Sequence, residues 1–523
     1  MTVKATNHRF WIAIVIAILA LGGVVLLSFQ RELEYNFRTW GLSVTVLLAV
    51  LLEFLWFIFL SGFNWRLRLA AFCVAALAIF GLTRIVRVAG TVNGTGLPRL
   101  AWRWGGKRQQ PLDTFQAVPE AKGLTPAVGA VDVPQFFGPN RDGIVTNARL
   151  DHDWKSAPPK ELWRKPVGAG WSAFAVVGSH AYTQEQRGES ECITCCDLLS
   201  GRLLWAYSNA VHFSQWQSGE GPHATPTVDK DRVFAMGAEG TLDCLDALTG
   251  RRIWSRNVLA ENNLPNLIWG VSVSPLVYDE TVVVTGGLTN GPTVLAYRRS
   301  DGTPLWRSGT DKASYASPIL ATLAGRRVVL SCNAASLTAH NPTNGEILLD
   351  YPWTNDKWPK ASQPVVLEGD RVFLSAGYGS GCILLQVKSS PNGKLAATPL
   401  WKNLHLKTQF NSAAVRNGFL YGLDDGLLAC VETSTGERKW KEGRYGSGQS
   451  LLVDDLALIQ SESGDVVLAD ATPDSGRELG RIPALKSKTW NHPTLAGCYL
   501  LVRNSEEAVC YVLPVRKAAD AAK

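Results

Sequence analysis

One phrase recurs along most of this chain and leaves few architectures open to it: an acidic residue, a short gap, a glycine, then Trp or an apolar residue a few positions on. One copy reads Cys244-Leu-Asp246-Ala-Leu-Thr-Gly250-Arg-Arg-Ile-Trp254, and another Cys195-Cys196-Asp197-Leu-Leu-Ser-Gly201-Arg-Leu-Leu-Trp205. Further copies centre on Gly302 with Trp306, Gly345 with Leu349, Gly393 with Trp401, Gly436 with Trp440 and Gly476 with Leu479. Successive glycines stand 40 to 52 residues apart, the period of a four-stranded propeller blade. The acidic residue can cap a turn, the glycine takes a backbone angle that a Cβ opposes, and a strand restarts at once. The Trp is expected to cover the gap between neighbouring blades.

A second phrase alternates with the first. A small polar residue followed by Pro or another small residue opens an apolar run at Thr225-Pro226, Ser274-Pro275, Ser317-Pro318, Gln363-Pro364 and His492-Pro493. Ser172-Ala173, Ser412-Ala413 and Gln449-Ser450 are degenerate versions. Proline is tolerated where a strand begins, so these eight positions are expected to start the innermost strands. Eight starts predict an all-β, eight-bladed propeller of four-stranded antiparallel blades. The seven Asp/Gly turns leave the blade ending at 508–513 without an outer strand, and Glu161–Val167 has the composition to supply it. Such a closure near 161–167 removes exposed sheet edges. The propeller is expected over 135–523.

The first ninety residues are a different polymer. Phe10–Phe29 contains no charge, Trp40–Leu60 only Glu53, and a third apolar run follows from Leu67, so helices are expected at about 10–29, 40–60 and 67–88. Residues 1–89 therefore read as a three-helix membrane anchor in contact with the lipid bilayer, and 90–134, rich in Gly, Pro and Ala, as a linker. Lys4, Arg9, Arg66 and Arg68 favour an N-terminus on the cytoplasmic side; Arg31, Arg38 and the basic residues after Arg84 oppose it. The cluster Arg99, Arg103, Lys107 and Arg108 beside the membrane runs reads as a headgroup contact and not as a nucleic-acid patch.

The repeat phrases, together with Phe136-Phe-Gly-Pro-Asn-Arg-Asp-Gly143 and Thr183-Gln-Glu-Gln-Arg-Gly188, resemble the pyrrolo-quinoline quinone (PQQ)-like repeat propellers of environmental bacteria over about residues 135–515. The resemblance implies an exported propeller, placed on the periplasmic side of a bacterial inner membrane. That family includes quinoprotein dehydrogenases and also a noncatalytic propeller that assists outer-membrane protein assembly. The dehydrogenases are similar to one another in a vicinal disulfide above the quinone, Glu/Asn/Asp calcium ligands and a catalytic Asp. Cys195-Cys196 spells the first of these. Cys244, Cys430 and Cys510 hold the same place in their own repeats, however, so the position reads as a small buried strand site. Cys192 and Cys195 stand three apart on a strand, pointing to opposite faces.

No other chemistry is spelled out. No G-x-S-x-G, G-x-x-x-x-G-K-[ST] or H-E-x-x-H is present, and the histidines are dispersed over different blades. His223 and His492 stand beside inner-strand starts, and Trp216, Trp269, Trp358 and Trp490 approach them. The loop Gly443–Gln449 is expected to expose Arg444 and Tyr445 on one face. Trp and Arg are common interface anchors. The expected function is a noncatalytic, membrane-tethered scaffold that binds protein partners or envelope components without a cofactor. The alternative is a membrane-bound dehydrogenase that uses PQQ and Ca²⁺.

Overall fold

The computed structural model describes residues 3–30, 33–105, 129–353 and 359–516. Lys107, Arg108, Arg31, Trp358 and most of the expected linker lie outside the described residues. The chain divides into two compact units, Met1–Arg108 and Gln109–Lys523.

The first unit contains helices α1 (Val3–Phe29), α2 (Tyr35–Leu55, prolonged by a π-helical turn Trp56–Leu60) and α3 (Trp65–Ile85). All three are long and apolar enough to cross a membrane. Their apolar side chains point outward, with Leu19, Leu47 and Leu77 all largely exposed, as lipid-facing helices require. Asn64 caps α3, its side chain accepting from Arg66 N at 3.1 Å. The expected third helix, 67–88, is shorter at its end. Residues from Val86 alternate β-branched with polar or small residues, and Val86–Thr91 forms a strand paired with Pro98–Trp102. The expected linker therefore opens with one arm of a hairpin.

The second unit is an eight-bladed propeller. Blades 1 to 7 span 175–209, 227–257, 276–308, 319–352, 365–403, 414–442 and 449–482. Blade 8 combines three strands within 494–512 with Lys160–Pro166, which pairs antiparallel with Glu507–Val512. Blade 7 gains a fifth, parallel strand, Ile144–Val145, beside Leu452–Val453. First strands of neighbouring blades touch at the junctions of blades 8 and 1, 1 and 2, 2 and 3, 3 and 4, and 5 and 6, as strands of an inner wall do.

Both sequence phrases turn out to join blades. Each Trp of the first phrase donates its indole N–H to a backbone carbonyl of the next blade: Trp163 to Leu198 (2.8 Å), Trp205 to Ala247 (3.0 Å), Trp254 to Arg299 (3.0 Å), Trp306 to Pro342 (3.1 Å), Trp401 to Thr433 (2.8 Å) and Trp440 to Thr472 (2.9 Å). The glycine is required twice over. Gly250 sits at φ 70°, and a Cβ there would come within 2.5 Å of the Trp205 ring. The hydroxyls of the second phrase make an inner belt. Ala173 N donates to Thr225 Oγ1 (3.0 Å), Thr225 N to Ser274 Oγ (3.0 Å), Ser274 N to Ser317 Oγ (2.9 Å) and Gln363 N to Ser412 Oγ (3.0 Å). Thus the Ser or Thr is there for its hydroxyl, not merely because a strand begins.

Within every blade the ladder between third and fourth strands slips at one place. In blades 1, 2, 6 and 8 the residue before the slip is Cys195, Cys244, Cys430 and Cys510, all fully buried. Cys195 lies opposite Trp205, Cys244 opposite Trp254 and Cys430 opposite Trp440. A small side chain at this point leaves room for the indole. All ten cysteines, including Cys192, are free thiols.

Candidate functional site

The connections that lead from one blade's outer strand to the next blade's inner strand gather on one face of the disc. Their side chains build an aromatic rim. Phe410, in the connection from blade 5 to 6, packs 5.3 Å from Trp490, in that from 7 to 8. Trp490 lies 4.9 Å from Trp171, between blades 8 and 1, and the Lys488 ammonium sits 4.0 Å above the Trp490 ring and 5.4 Å above that of Trp171. Trp490 Nε1 donates to Glu462 Oε1 at 2.7 Å, and Trp171 Nε1 donates to the Ser218 carbonyl.

Ser218 belongs to a small hairpin inserted between blades 1 and 2, in which Ser214–Gln215 pairs with Gly219–Glu220. Trp216 is at its tip and is 48 % exposed. Gln217 Oε1 accepts from Trp269 Nε1 at 3.1 Å, and the Trp269 ring rests 5.3 Å from Tyr315. Ile268, beside it, is 61 % exposed. An apolar, indole-rich surface thus runs along the rim from the entrance of blade 6 to that of blade 4, passing blades 7, 8, 1, 2 and 3.

The structure brings Trp216, Trp269 and Trp490 onto this rim, and gives the other expected residues different surroundings. His223 is half-buried, its Nδ1 3.2 Å from Ser272 Oγ and its ring edge-on to Phe213. Desolvation lowers its pKa to about 4, so it stays neutral. His492 is buried in the interior, with Nδ1 2.9 Å from the Pro493 carbonyl and its ring edge-on to both Phe136 and Phe137. Burial likewise lowers it to about 4. Arg444 is exposed, but Tyr445, expected beside it at the surface, is buried at 2 %. The reason is steric and apolar: a Cβ at Gly443 would lie 2.3 Å from the Tyr445 hydroxyl, and the ring packs among Leu423, Leu428 and Ile459.

Sequence reasoning missed Trp171, Phe410, Tyr315 and Lys488, which belong to no repeated phrase. It also missed what Phe136–Gly143 does. This segment crosses the channel as a stopper. Before it, Val133 bridges Val176 of blade 1, and Val228 N of blade 2 donates to the Pro134 carbonyl at 2.7 Å. A tight turn follows, with Gly143 N donating to the Phe137 carbonyl at 2.8 Å. Arg141 at its apex is buried and donates to the Pro275 and Ser274 carbonyls of the blade 3 entrance at 2.8 and 2.9 Å. The Arg141 carbonyl accepts from Gln363 Nε2, at the start of blade 5, at 3.2 Å. The chain then leaves along blade 7. With His492 of blade 8, six of the eight blades touch residues 133–145.

A quinone above a calcium ion needs a flat pocket over a carboxylate-rich floor. Here Phe136, Phe137 and Arg141 take up the channel, and among the described residues no three His, Cys, Asp or Glu side chains are grouped to hold a metal ion. Cys195 and Cys196 are buried thiols in the third strand of blade 1, not in the inner wall. The vicinal cysteine pair therefore does not fit the cover of a quinone held in the channel. Among the buried carboxylates Glu191, in the third strand of blade 1, accepts from Ala238 N at 3.1 Å and is raised to about 7 by desolvation.

A family model described as outer membrane protein assembly factor BamB matches residues 160–442. The chain is 23 % identical over 367 residues to the outer membrane protein assembly factor BamB of Bordetella pertussis (strain Tohama I), covering 68 % of this chain and 88 % of the relative. Among solved structures, BamB from Moraxella catarrhalis is similar with a TM-score of 0.51 at 14 % identity, covering 68 % of this chain and all of that one. A europium-containing methanol dehydrogenase is similar with a TM-score of 0.55 at 12 % identity, covering 74 % of this chain and 98 % of that one. At these identities the structural likeness shows the fold alone.

Proposed function

This chain belongs to the family described as outer membrane protein assembly factor BamB, and from that premise we propose that it is a membrane-tethered, noncatalytic scaffold whose rim docks a protein partner of the cell envelope. The helices hold the chain in the inner membrane, with the propeller on the periplasmic side. The observation that carries the reading is Trp216, held 48 % exposed at the tip of a hairpin whose neighbours are tied down, beside the 61 % exposed Ile268. An exposed indole on a fixed support loses little conformational freedom on binding and can act as an anchor. A channel crossed by the chain's own residues leaves the rim as the surface on offer.

The test is site-specific photocrosslinking of the full-length chain in its native membrane, with a benzophenone residue at 216 and a control at Leu400, an exposed apolar residue on the outer strand of blade 5. We expect a discrete adduct at 216 that is absent at 400 and lost on Trp269→Ala. Equal labelling at both positions would reject the rim as a docking surface. A Ca²⁺-dependent titration of the purified full chain with PQQ addresses the other family activity: stoichiometric binding would favour the dehydrogenase over the scaffold.

A further inference from the structure

The strand pair that follows α3 is two-faced. Val86–Thr91 leaves Ile85 with no intervening residue, and in its ladder Val86 stands opposite Trp102, Arg87 opposite Ala101 and Val88 opposite Leu100. Because side chains alternate along a strand, Val86, Val88, Leu100 and Trp102 share one face. Arg87, Arg99 and Ala101 share the other, and Arg103 N extends the ladder by donating to the Ile85 carbonyl at 2.8 Å. The apolar face is open: Leu100 is 66 % and Trp102 63 % exposed.

A lone two-stranded hairpin is marginal in water, so something must cover that face. Three observations identify the cover as lipid. The ladder starts where a membrane-crossing helix stops, so its first pair stands at the bilayer boundary. Trp102 and Trp104 are exposed indoles, which prefer that boundary. The opposite face carries Arg87 and Arg99, cations that anionic lipid phosphates attract. The hairpin is also held at this level: Trp40 of α2 donates Nε1 to the Thr95 carbonyl in its turn at 2.5 Å. Alternating crossings put the first turns of α2 and the end of α3 at the same membrane surface.

We propose that residues 86–102 form an interfacial hairpin, lying along the membrane with Val88, Leu100 and Trp102 at the acyl boundary and Arg87, Arg99 and Arg103 among the lipid phosphates. The three helices would then end in a flat foot that contacts lipid sideways, a membrane contact separate from the spans themselves.

The experiment uses the full chain, with Cys73→Ala and Cys498→Ala to remove competing thiols, in nanodiscs of phosphatidylcholine and phosphatidylglycerol. A nitroxide is placed at 100 (Leu100→Cys) or at 99 (Arg99→Cys), and collisions with oxygen and with a water-soluble nickel chelate are compared. For a face sunk about 5–10 Å into the headgroup and acyl boundary, the oxygen-to-nickel ratio at 100 should exceed that at 99 by about twofold or more. Equal ratios with ready access of nickel to both would place the hairpin in water and overturn the proposal. Position 100 shielded from both reagents would show that protein covers the face, and would overturn it as well.

Discussion

The junction between blades 2 and 3 and that between blades 4 and 5 solve one problem differently. At the first, Trp254 fills the space over Gly302 and its indole bonds the Arg299 carbonyl. At the second the repeat offers Leu349, and among the described residues no indole N–H bonds across the junction. The gap is closed by mass: Leu348, Leu349 and Trp353 of blade 4 and its exit pack against Ile383, Leu385, Val387 and Leu395 of a blade 5 with long outer strands. The junction of blades 7 and 8, where Leu479 replaces Trp, shows a third solution. Trp154 arrives from the approach segment and lies on Gly480, within 2.8 Å of where a Cβ would be. A repeat copy can therefore lose its indole when volume is supplied from elsewhere, and the hydrogen bond is the dispensable part.

The largest effect that would break this comparison is Trp254→Ala. Removing a buried indole should cost about 3–5 kcal/mol, measured by chemical denaturation. Leu349→Ala should cost less, about 2–3 kcal/mol, because fewer atoms leave. An equal or larger loss at 349 would mean that the Trp-less junction is the tighter one. The inner belt sharpens the point. Ser274→Ala strips the acceptor from the buried Thr225 N–H and should cost about 1–3 kcal/mol, without changing the packing of either Trp.

A further effect is confined to pH. The neutral form of His492 is favoured in the folded chain. Its contribution to stability is therefore complete above the ordinary value of 6.5 and drains away as pH falls towards about 4. Glu191 works the other way: held up to about 7, it contributes fully below its ordinary value of 4.5 and loses that contribution as pH rises through 7. In thermal melts across pH 4 to 8, His492→Asn should flatten the acid limb, and Glu191→Gln should stabilise the protein at pH 8 but not at pH 5.

The fold was legible because a propeller writes the same local instruction eight times, and an Asp–Gly turn followed by a strand survives the decay of individual copies. The meaning of the phrases was only half legible. Ser274 and Thr225 read as strand openers, whereas their hydroxyls are interblade acceptors; the recurrence of a hydroxyl, and not just any polar residue, was the available signal. Tyr445 was misread because a glycine-rich loop looks solvated, yet in this one the missing side chain of Gly443 is what lets the ring turn inward. The stopper was spelled out in Phe136–Gly143. A buried Arg141 whose side-chain partners are two carbonyls and the Gln135 amide has no pattern in one dimension. Nor do rim residues such as Trp171 and Phe410, which come together from connections that share no sequence.

Blade 8 has a consequence in time. Tyr511 and Glu161, which meet in its outer ladder, are 350 residues apart in the chain. Seven blades can zip up from neighbours as the polypeptide lengthens, but the ring stays open until the last strands have been made. Until then Lys160–Pro166 is a strand edge waiting without a partner, the kind of surface that pairs with a wrong one. The protein's most vulnerable interval is therefore the one between its first blade strand and its last, and whatever shortens or shields that wait decides how much of it reaches the native state.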